Sequence, residues 1–562
     1  MIIDTSISEL VRSLLARRGM VEDADIAAFL SPDYEAHTHA PELLNDMRAA
    51  VARILSAMEN NERIAVYADY DCDGIPGAAI LSDFFAKINY TNIEVYLPHR
   101  DREGYGFHTD AITEISNGGV KLIITVDVGT VAREGCAFAR SLGIDVIVTD
   151  HHEIIGERPS CLALVNPKIP PYPFPGLCGA AVAFKLAQAL LAEGKNRKLK
   201  NFISIPDGWE KWLLDLVAIA TVADMVPLIE ENRALVHWGL KVLRKSTRHG
   251  IRALCAKLRL RQSEISEDDI GFSIAPRINA ASRMDEPELA FRLLVTTDRN
   301  EAERLVARLE ELNSMRKVAV ASIVKVAKRT VRTRFRSDDR IVVLGSPEWK
   351  PALLGLAANS IMENRGGVVC LWGRDANGRI KGSCRSDGSI SVVELFSKAS
   401  DALIEFGGHH ASGGFTVSYE RVHTLHESLT SASLLTAKSD VSDNAKYDAS
   451  ISLADIGGPL FEEIFRLAPF GIGNPKPVFL ISPIIVSSVR RFGRDNNHAE
   501  ILVSCGKTGI SMRTFDFFRA PEDFTHLPVQ GNNAKILASV VRDTFRGGIA
   551  LRLLDVLASS AR

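Results

Sequence analysis

Residues 66–74, VYADYDCDG, set Asp69, Asp71 and Asp73 two residues apart and then close on Gly74. D-x-D-x-D-G also opens a calcium-binding EF-hand loop, which needs a helix leading in and a bidentate Glu at position twelve. Counted from Asp69, position twelve is Ile80, and the lead-in RIAVYA (63–68) is apolar and β-rich, as in a strand. The EF-hand reading fails on both points. The three carboxylates belong where a strand runs out into a loop.

Outward from that strand, residues 62 to about 228 alternate β-rich runs with helical patterns. RIAVYADYD, NIEVYLPHR, KLIITVDVG and GIDVIVTDHH are the strand candidates, with stretches such as IPGAAILSDFFAKI between them. This alternation predicts a parallel sheet covered by helices. LCGAAVAFKLAQALLAEG and KWLLDLVAIATVADMV read as buried helices, and the amphipathic ISELVRSLLARRG near the N-terminus as a helix closed by Gly19. No Gly or Pro occurs between Glu288 and Arg334, and helical spacing there predicts a long helix joining two halves of the molecule. A second α/β unit runs from DDRIVVLGS to about GGFTVSYE, the Ser-rich LTSASLLTAKSDVSDNAK reads as a linker, and five β-rich runs beyond it predict a small barrel of oligonucleotide-binding type.

A chain of 562 residues is too long for one core, so three or four domains are expected. Hydrophobic residues at 46% and charged residues at 24% place it among soluble globular proteins. The N-terminus has early acidic residues and no long apolar run, unlike a signal peptide, and nothing approaches the roughly 18 apolar residues of a membrane span. Eight cysteines without C-x-x-C pairs indicate neither a disulfide framework nor a zinc site, and a reducing cytoplasm is the expected setting. A net charge of −2 argues against coating nucleic acid over the whole surface while leaving room for a local basic channel.

Three predicted strands end in metal-competent side chains: Asp69, Asp71 and Asp73; Asp127 in TVDVG; and Asp150, His151 and His152 in VTDHHE. Ligands of open parallel sheets bind at the carboxyl ends of strands, so these groups can converge. Asp224 follows the apolar run LLDLVAIATVA and adds a fourth carboxylate position. Singly, an Asp after a strand is more often a helix cap or turn former than a ligand. Together, so many carboxylates repel unless cations join them. Oxygen and imidazole ligands suit Mn²⁺, or Mg²⁺ with more water retained, and two such ions about 4 Å apart can activate a water and hold both oxygens of a phosphoryl displacement.

DYDCDG, TVDVG, TDHHE and ATVADMVPL, in that order, resemble the four motifs of the DHH phosphoesterase superfamily. IGFSIAPRINAASRMD, KGSCRS and FGGHHASGGF resemble motifs of its RecJ branch of single-stranded-DNA-specific exonucleases and their DHHA1 domain, LAPFGIGNPKPVF resembles the start of the oligonucleotide-binding (OB) domain, and LLNDMRAAVARI is also RecJ-like. The resemblance covers nearly the whole chain. It implies an α/β fold with two α/β domains (DHH and DHHA1) joined by a long helix, plus a C-terminal OB-like barrel. The implied divisions are an N-terminal helical segment (1–45), the DHH catalytic domain (46–240), a helical connector (241–335), DHHA1 (336–430), a linker (431–447) and the OB-like domain (448–562).

The resemblance also implies a 5′–3′ exonuclease that releases 5′-mononucleotides from single-stranded DNA with Mn²⁺ or Mg²⁺, in DNA repair and recombination. Carried over by motif, Asp71, Asp73, Asp127, His151 and Asp224 hold two ions, with Asp69, Asp150 and His152 as further ligands or orienting groups. Arg100, Arg277, Asn279, Arg283, Ser383, Arg385, Ser386 and Gly408 serve DNA or phosphate, and His409 faces the scissile phosphate. A monomer is expected, with a single-strand-binding protein and a RecQ-type helicase as implied partners.

Several positions depart from the family pattern. Ser282 stands where Gly is usual and would crowd a phosphate loop; Lys350, Ala352 and Ser360 stand where His, Gly and Arg are frequent. From composition, KVAKRTVRTRFR reads as a solvated helix face before a DNA channel, and Phe492, Phe515, Phe517, Phe518 and Phe545 as core before base-stacking rings. Two alternatives differ in class: a phosphodiesterase of short oligonucleotides or cyclic dinucleotides, whose chains are shorter, and a silent DNA-binding relative, which would lose metal-site residues.

Overall fold

The computed structural model describes residues 7–336, 338–436, 447–493, 496–506, 508–517, 519–543 and 547–559. Phe518, Phe545 and most of the predicted linker lie outside them.

The first sheet is parallel throughout. Its strands are β1 (Arg63–Ala68), β2 (Ile93–Tyr96), β3 (Val120–Val126), β4 (Asp145–Thr149) and β5 (Ala163–Val165), in the order β2-β1-β3-β4-β5. After Arg63, β1 is buried on both faces, as a central parallel strand covered by helices must be. Helices Gly74–Lys87, Gly179–Asn196 and Leu214–Ala223 pack on one another, while Ile112, Ile115, Cys136 and Ala139 of Thr109–Asn117 and Arg133–Ser141 join a separate core cluster with Ala65, Ile123 and Val148. From β1 the chain turns to one side for β2 and to the other for β3, so the carboxyl ends of β1 and β3 flank the topological switch where ligands bind in such sheets.

The predicted long helix spans Arg299–Arg334, 36 residues. The Asp298 side chain caps it by accepting from the Asn300 amide at 2.7 Å. Leu305, Leu309 and Leu312 are buried in its first half, which packs against helices His249–Leu258 and Ala275–Arg283. Farther on, Ile323, Ala327 and Val331 join the core of the second sheet, and Lys325, Arg329 and Arg332 stay exposed. KVAKRTVRTRFR is thus an ordinary amphipathic face.

That second sheet comprises β6 (Ile341–Gly345), β7 (Val368–Arg374), β8 (Ile380–Ser386), β9 (Glu405–Gly408) and β10 (Ser412–Val417), ordered β6-β7-β8-β10-β9. Only β6 and β7 run parallel. These elements belong to one compact unit, His39–Val226 with Trp238–Ser442.

The other unit contains the barrel, residues up to Thr38, and Pro227–His237. Its strands are β11 (Ala449–Ile451), β12 (Phe479–Phe492), β13 (His498–Ser504), β14 (Ser511–Asp516), β15 (Asn533–Arg542) and β16 (Ile549–Ala558). The sheet order is β11-β12-β13-β14-β16-β15, and pairing of β12 with β15 closes five strands into a barrel. β14 and β16 are parallel, the Greek-key closure of an OB barrel. Val11, Leu14, Leu15, Ile26 and Phe29 of helices Glu9–Ala16 and Asp23–Leu30 complete the barrel's apolar core.

Candidate metal centre and phosphate cleft

The opening triplet leaves β1 in a tight turn. Asp71 Oδ1 accepts from the amides of Asp73 (2.8 Å) and Gly74 (3.2 Å). Asp73 is buried, its two oxygens accepting from the Gly179 and Ala180 amides at 2.6 and 2.7 Å, at the start of helix Gly179–Asn196. Asp127, past β3, is buried in the left-handed conformation (φ 61°). Gly179 permits this arrangement, because a Cβ there would stand 2.5 Å from the Asp127 Cβ.

Three sets of groups have ligand atoms within 4.8 Å of one another: Asp69, Asp71 and Asp127; Asp73, His151 and Asp224; and Asp127, His151 and His152. The first two share no residue, as two neighbouring cation sites require. His151 Nε2 lies 3.1 Å from Asp127 Oδ1 and 3.6 Å from oxygens of both Asp73 and Asp224. Asp127 Oδ1 is nonetheless buried without a hydrogen-bond donor among the described residues, as is Asp69 Oδ1. Two charges about 5 Å apart repel by roughly 3 kcal/mol at an effective dielectric near 20. Three mutual pairs would then cost about as much as a whole domain's stability. The residues therefore fit divalent cations, through oxygen and imidazole donors and through orphaned carboxylate oxygens.

Electrostatics separates ligands from supports. Burial, then neighbouring carboxylates, holds Asp69, Asp127 and Asp224 well above the usual range and raises Asp73 to about 6. Burial, followed by the charge of His152, pushes His151 down to about 3, leaving a neutral imidazole suited to ligation. Asp150 behaves differently. Burial opposes its charge, but His152 outweighs that and holds the carboxyl below the usual range. Its oxygens take the Thr130, His151 and His152 amides at 2.8, 2.7 and 3.2 Å, and His152 Nδ1 lies 2.7 Å away. Asp150 is saturated and positions the two histidines. The Tyr105 hydroxyl, 3.1 Å from His152 Nδ1 and donating to the Asp127 carbonyl at 3.3 Å, is a neighbour the sequence reading missed.

Guanidiniums gather beside this cage. Arg100 lies over the Tyr70 ring at 4.9 Å. Arg283 donates to the Ala352 carbonyl, and burial, then Arg100 and Arg316, lower it to about 9, with Arg385 contributing. Arg385 donates to the Cys384 carbonyl at 2.7 Å and reaches over Gly355, where a Cβ would stand 2.7 Å from Nη2. His409 is exposed in the turn between β9 and β10, its amide donating to the Ser412 carbonyl at 2.7 Å. Partial burial and then the His152 charge lower its pKa. Gly408 precedes it, opposite Gly413.

Other candidates are engaged elsewhere. Arg277 pairs with Glu310 at 2.9 Å and donates to the Ser273 carbonyl at 3.0 Å. Asn279 Oδ1 accepts from the Cys72 amide at 2.9 Å, bracing the triplet loop. Along β8, Ser383 and Arg385 are half-buried on one face, while Cys384 and Ser386 are buried on the other, with the Ser386 hydroxyl donating to the Ile390 carbonyl. Ser386 is not brought to the cleft. Ser282 crowds no loop: APRINAASR is the helix Ala275–Arg283, and the buried Ser282 hydroxyl donates to the Asn279 carbonyl one turn back at 3.2 Å. Lys350 pairs with Asp285, Ala352 supplies the carbonyl that holds Arg283, and the Ser360 carbonyl accepts from Asn364.

On the barrel, the aromatic expectation reverses. Phe492, Phe515 and Phe517 are half-buried, and with His498 they form an edge-to-face cluster at 5.1–5.8 Å. Arg513 lies 5.0 Å over Phe515 and Arg552 4.6 Å over Phe517. Along β14 it is the polar Thr514 and Asp516 that turn inward. Rings and cations on one face are what single-strand binding by stacking uses.

Comparison with known proteins agrees with this geometry. Residues 63–221 match the DHH family, N-terminal domain, 338–432 the DHHA1 domain, and 447–554 the RecJ OB domain. The single-stranded-DNA-specific exonuclease RecJ of Escherichia coli (strain K12) is 30% identical over 451 residues, 78% of each chain. That of Bacillus subtilis (strain 168) is 34% identical over 501 residues, 88% of this chain and 62% of the relative, so the chain spans less than two thirds of that protein. The crystal structure of RecJ in complex with Mn²⁺ from Thermus thermophilus superposes with a TM-score of 0.78 at 27% identity, covering 99% of this chain and 76% of that one.

Proposed function

Because the chain belongs to the RecJ family of single-stranded-DNA-specific exonucleases, we propose that it digests single-stranded DNA from the 5′ end and releases 5′-mononucleotides, in DNA repair and recombination. The observation that carries this reading is the convergence of Asp69, Asp71, Asp73, Asp127 and His151, beyond the ends of strands, with Asp224 at the end of helix Leu214–Ala223, and with two carboxylate oxygens orphaned. Asp69, Asp71 and Asp127 would hold one Mn²⁺ or Mg²⁺ ion, and Asp73, His151 and Asp224 the other. Bound there, the ions supply an activated water and charge neutralisation for in-line displacement at phosphorus.

The chain's own groups do the rest. Asp150 and Tyr105 fix the His152 ring, and the helix amides of Gly179 and Ala180 fix Asp73. Arg100, Arg283 and Arg385, with Ser383 and the Gly408 backbone, hold phosphate oxygens, since guanidinium donors fork onto them. His409 donates a hydrogen bond to the scissile phosphate as its charge develops. Arg277, Asn279 and Ser386 act at one remove, through their protein partners.

The divisions read from the sequence (1–45, 46–240, 241–335, 336–430, 431–447 and 448–562) serve as the working domain scheme. A monomer in the cytoplasm, assisted by a single-strand-binding protein and a RecQ-type helicase, completes the proposal; no helix among the described residues is long and apolar enough to cross a membrane. The test is product analysis on single strands labelled at either end, with Mn²⁺ and Mg²⁺ in turn. Mononucleotides released first from the 5′ label are expected. Release first from the 3′ label, or preferred attack on dinucleotides, overturns the reading.

A further inference from the structure

The buried face of the long helix Arg299–Arg334 carries one fully buried polar residue out of pattern. Asn313 follows Leu305, Leu309 and Leu312 at 0% exposure, yet neither its Oδ1 nor its Nδ2 meets a hydrogen-bond partner among the described residues. One turn on, the Nε of Arg316 is also buried without a partner. Residues three apart share a helix face, so these unsatisfied groups are neighbours. The helix packs against Ala275–Arg283, which bears Arg277 and Arg283.

The arginines of this seam divide into two kinds. Arg277 is committed to Glu310, one turn before Asn313, and to the Ser273 carbonyl. Arg316 has no carboxylate partner among the described ion pairs, and it adds to the like charge that Arg100 and Arg385 place on Arg283. Burying guanidiniums in mutual repulsion has no packing rationale, and it becomes favourable when an anion joins them. A backbone phosphate is the anion that the fork geometry of arginine suits, and a strand in the cleft would supply one.

We propose that Arg316, whose buried Nε has no partner among the described residues, binds a backbone phosphate of the single strand beside Arg283, the task that the APRINAASR motif assigned to Arg277. The identity of the anion rests on the nuclease reading.

The test uses the full-length protein with chelator present, so that binding is read without hydrolysis. Anisotropy of a labelled 5′-phosphorylated single strand is followed across a salt series. Arg316→Gln is expected to weaken binding about tenfold and to lower the slope of log affinity on log salt by about 0.7, the share of one phosphate contact on a single strand. Arg316→Lys should retain the slope, and Arg277→Gln should leave it near wild type. A wild-type slope in Arg316→Gln, or a slope lost in Arg277→Gln instead, overturns it. Digestion of the same strand by wild-type protein with Mn²⁺ is measured separately: binding as predicted without digestion would sink the exonuclease reading alone.

Discussion

Three carboxylates after β1 and β4 are held by backbone amides, Asp71 by Asp73 and Gly74, Asp73 by Gly179 and Ala180, Asp150 by Thr130, His151 and His152, while Asp69 and Asp127 each keep an oxygen without a donor among the described residues. The guanidiniums beside them are held by less. Arg283 reaches a carbonyl of the second α/β domain, Arg100 rests on a tyrosine ring, and Arg385 leans over a glycine. The difference follows from what each cluster grips. Divalent ions tolerate errors of about half an ångström in ligand position, which rigid backbone can guarantee. A phosphate on a moving strand is better met by long side chains with several donors.

The largest expected effect comes from breaking the acidic cluster alone. Asp127→Ala or His151→Ala should lower single-strand hydrolysis by about a thousandfold or more, with binding of the strand retained, since two-ion chemistry needs both sites filled. Kinetics alongside anisotropy checks it, and equal loss of both activities would mean that the clusters do not divide the work. A change that touches no ligand sharpens the contrast. Gly179→Ala puts a Cβ 2.5 Å from that of Asp127 and displaces the amides that hold Asp73. Mn²⁺ affinity by calorimetry should fall roughly 10- to 100-fold, as when outer-shell partners of a metal are removed, and wild-type affinity would show that the backbone cradle is dispensable.

The smallest expected effect is on pH. The Asp73 carboxyl, raised to about 6, is protonated in the folded metal-free protein below that pH and must shed the proton to take a cation. Metal affinity should therefore decline as pH falls through 6, by about tenfold per unit for the Asp73 proton alone and more steeply where the raised Asp69, Asp127 and Asp224 carboxyls also bind protons. For the metal-free fold the sign is opposite. A raised folded value means that this group's contribution to stability is lost as pH rises from its ordinary 3.8 to about 6. Mn²⁺ should accordingly raise Tm more at pH 8 than at pH 5, and equal increments at both would contradict the assignment.

Much of the cage was legible because most of its residues follow strands that read as near-continuous apolar, β-rich runs buried on both faces, as with RIAVYA before Asp69 and KLIITV before Asp127. β5 escaped notice because three residues carry no period. The donors from Gly179 and Ala180 were hidden inside a stretch that reads only as a buried helix, since sequence gives a helix but not what its first turn faces. APRINAASR was read as a loop although Pro276 in its first turn and the alanines that follow mark a helix start. The barrel phenylalanines were misjudged because strand spacing identifies which residues share a face without saying which face is inside; Thr514 and Asp516 took that side. Asn313 and Arg316 had no local signal at all. Their importance arises only where the long helix meets a segment some thirty residues away in the chain.

The pleat of β8 carries a constraint of parity. Ser383 and Arg385 share the half-buried face of the strand only because an odd step separates them from Cys384 and Ser386. Inserting one residue between Ile380 and Ser383 would send an arginine into the apolar interior and offer a thiol to the strand, whereas inserting two would restore the pattern. The preceding turn is tied down by the buried Asp375, which accepts from the Asn377 and Arg379 amides, and within the strand itself evolution can count only in twos.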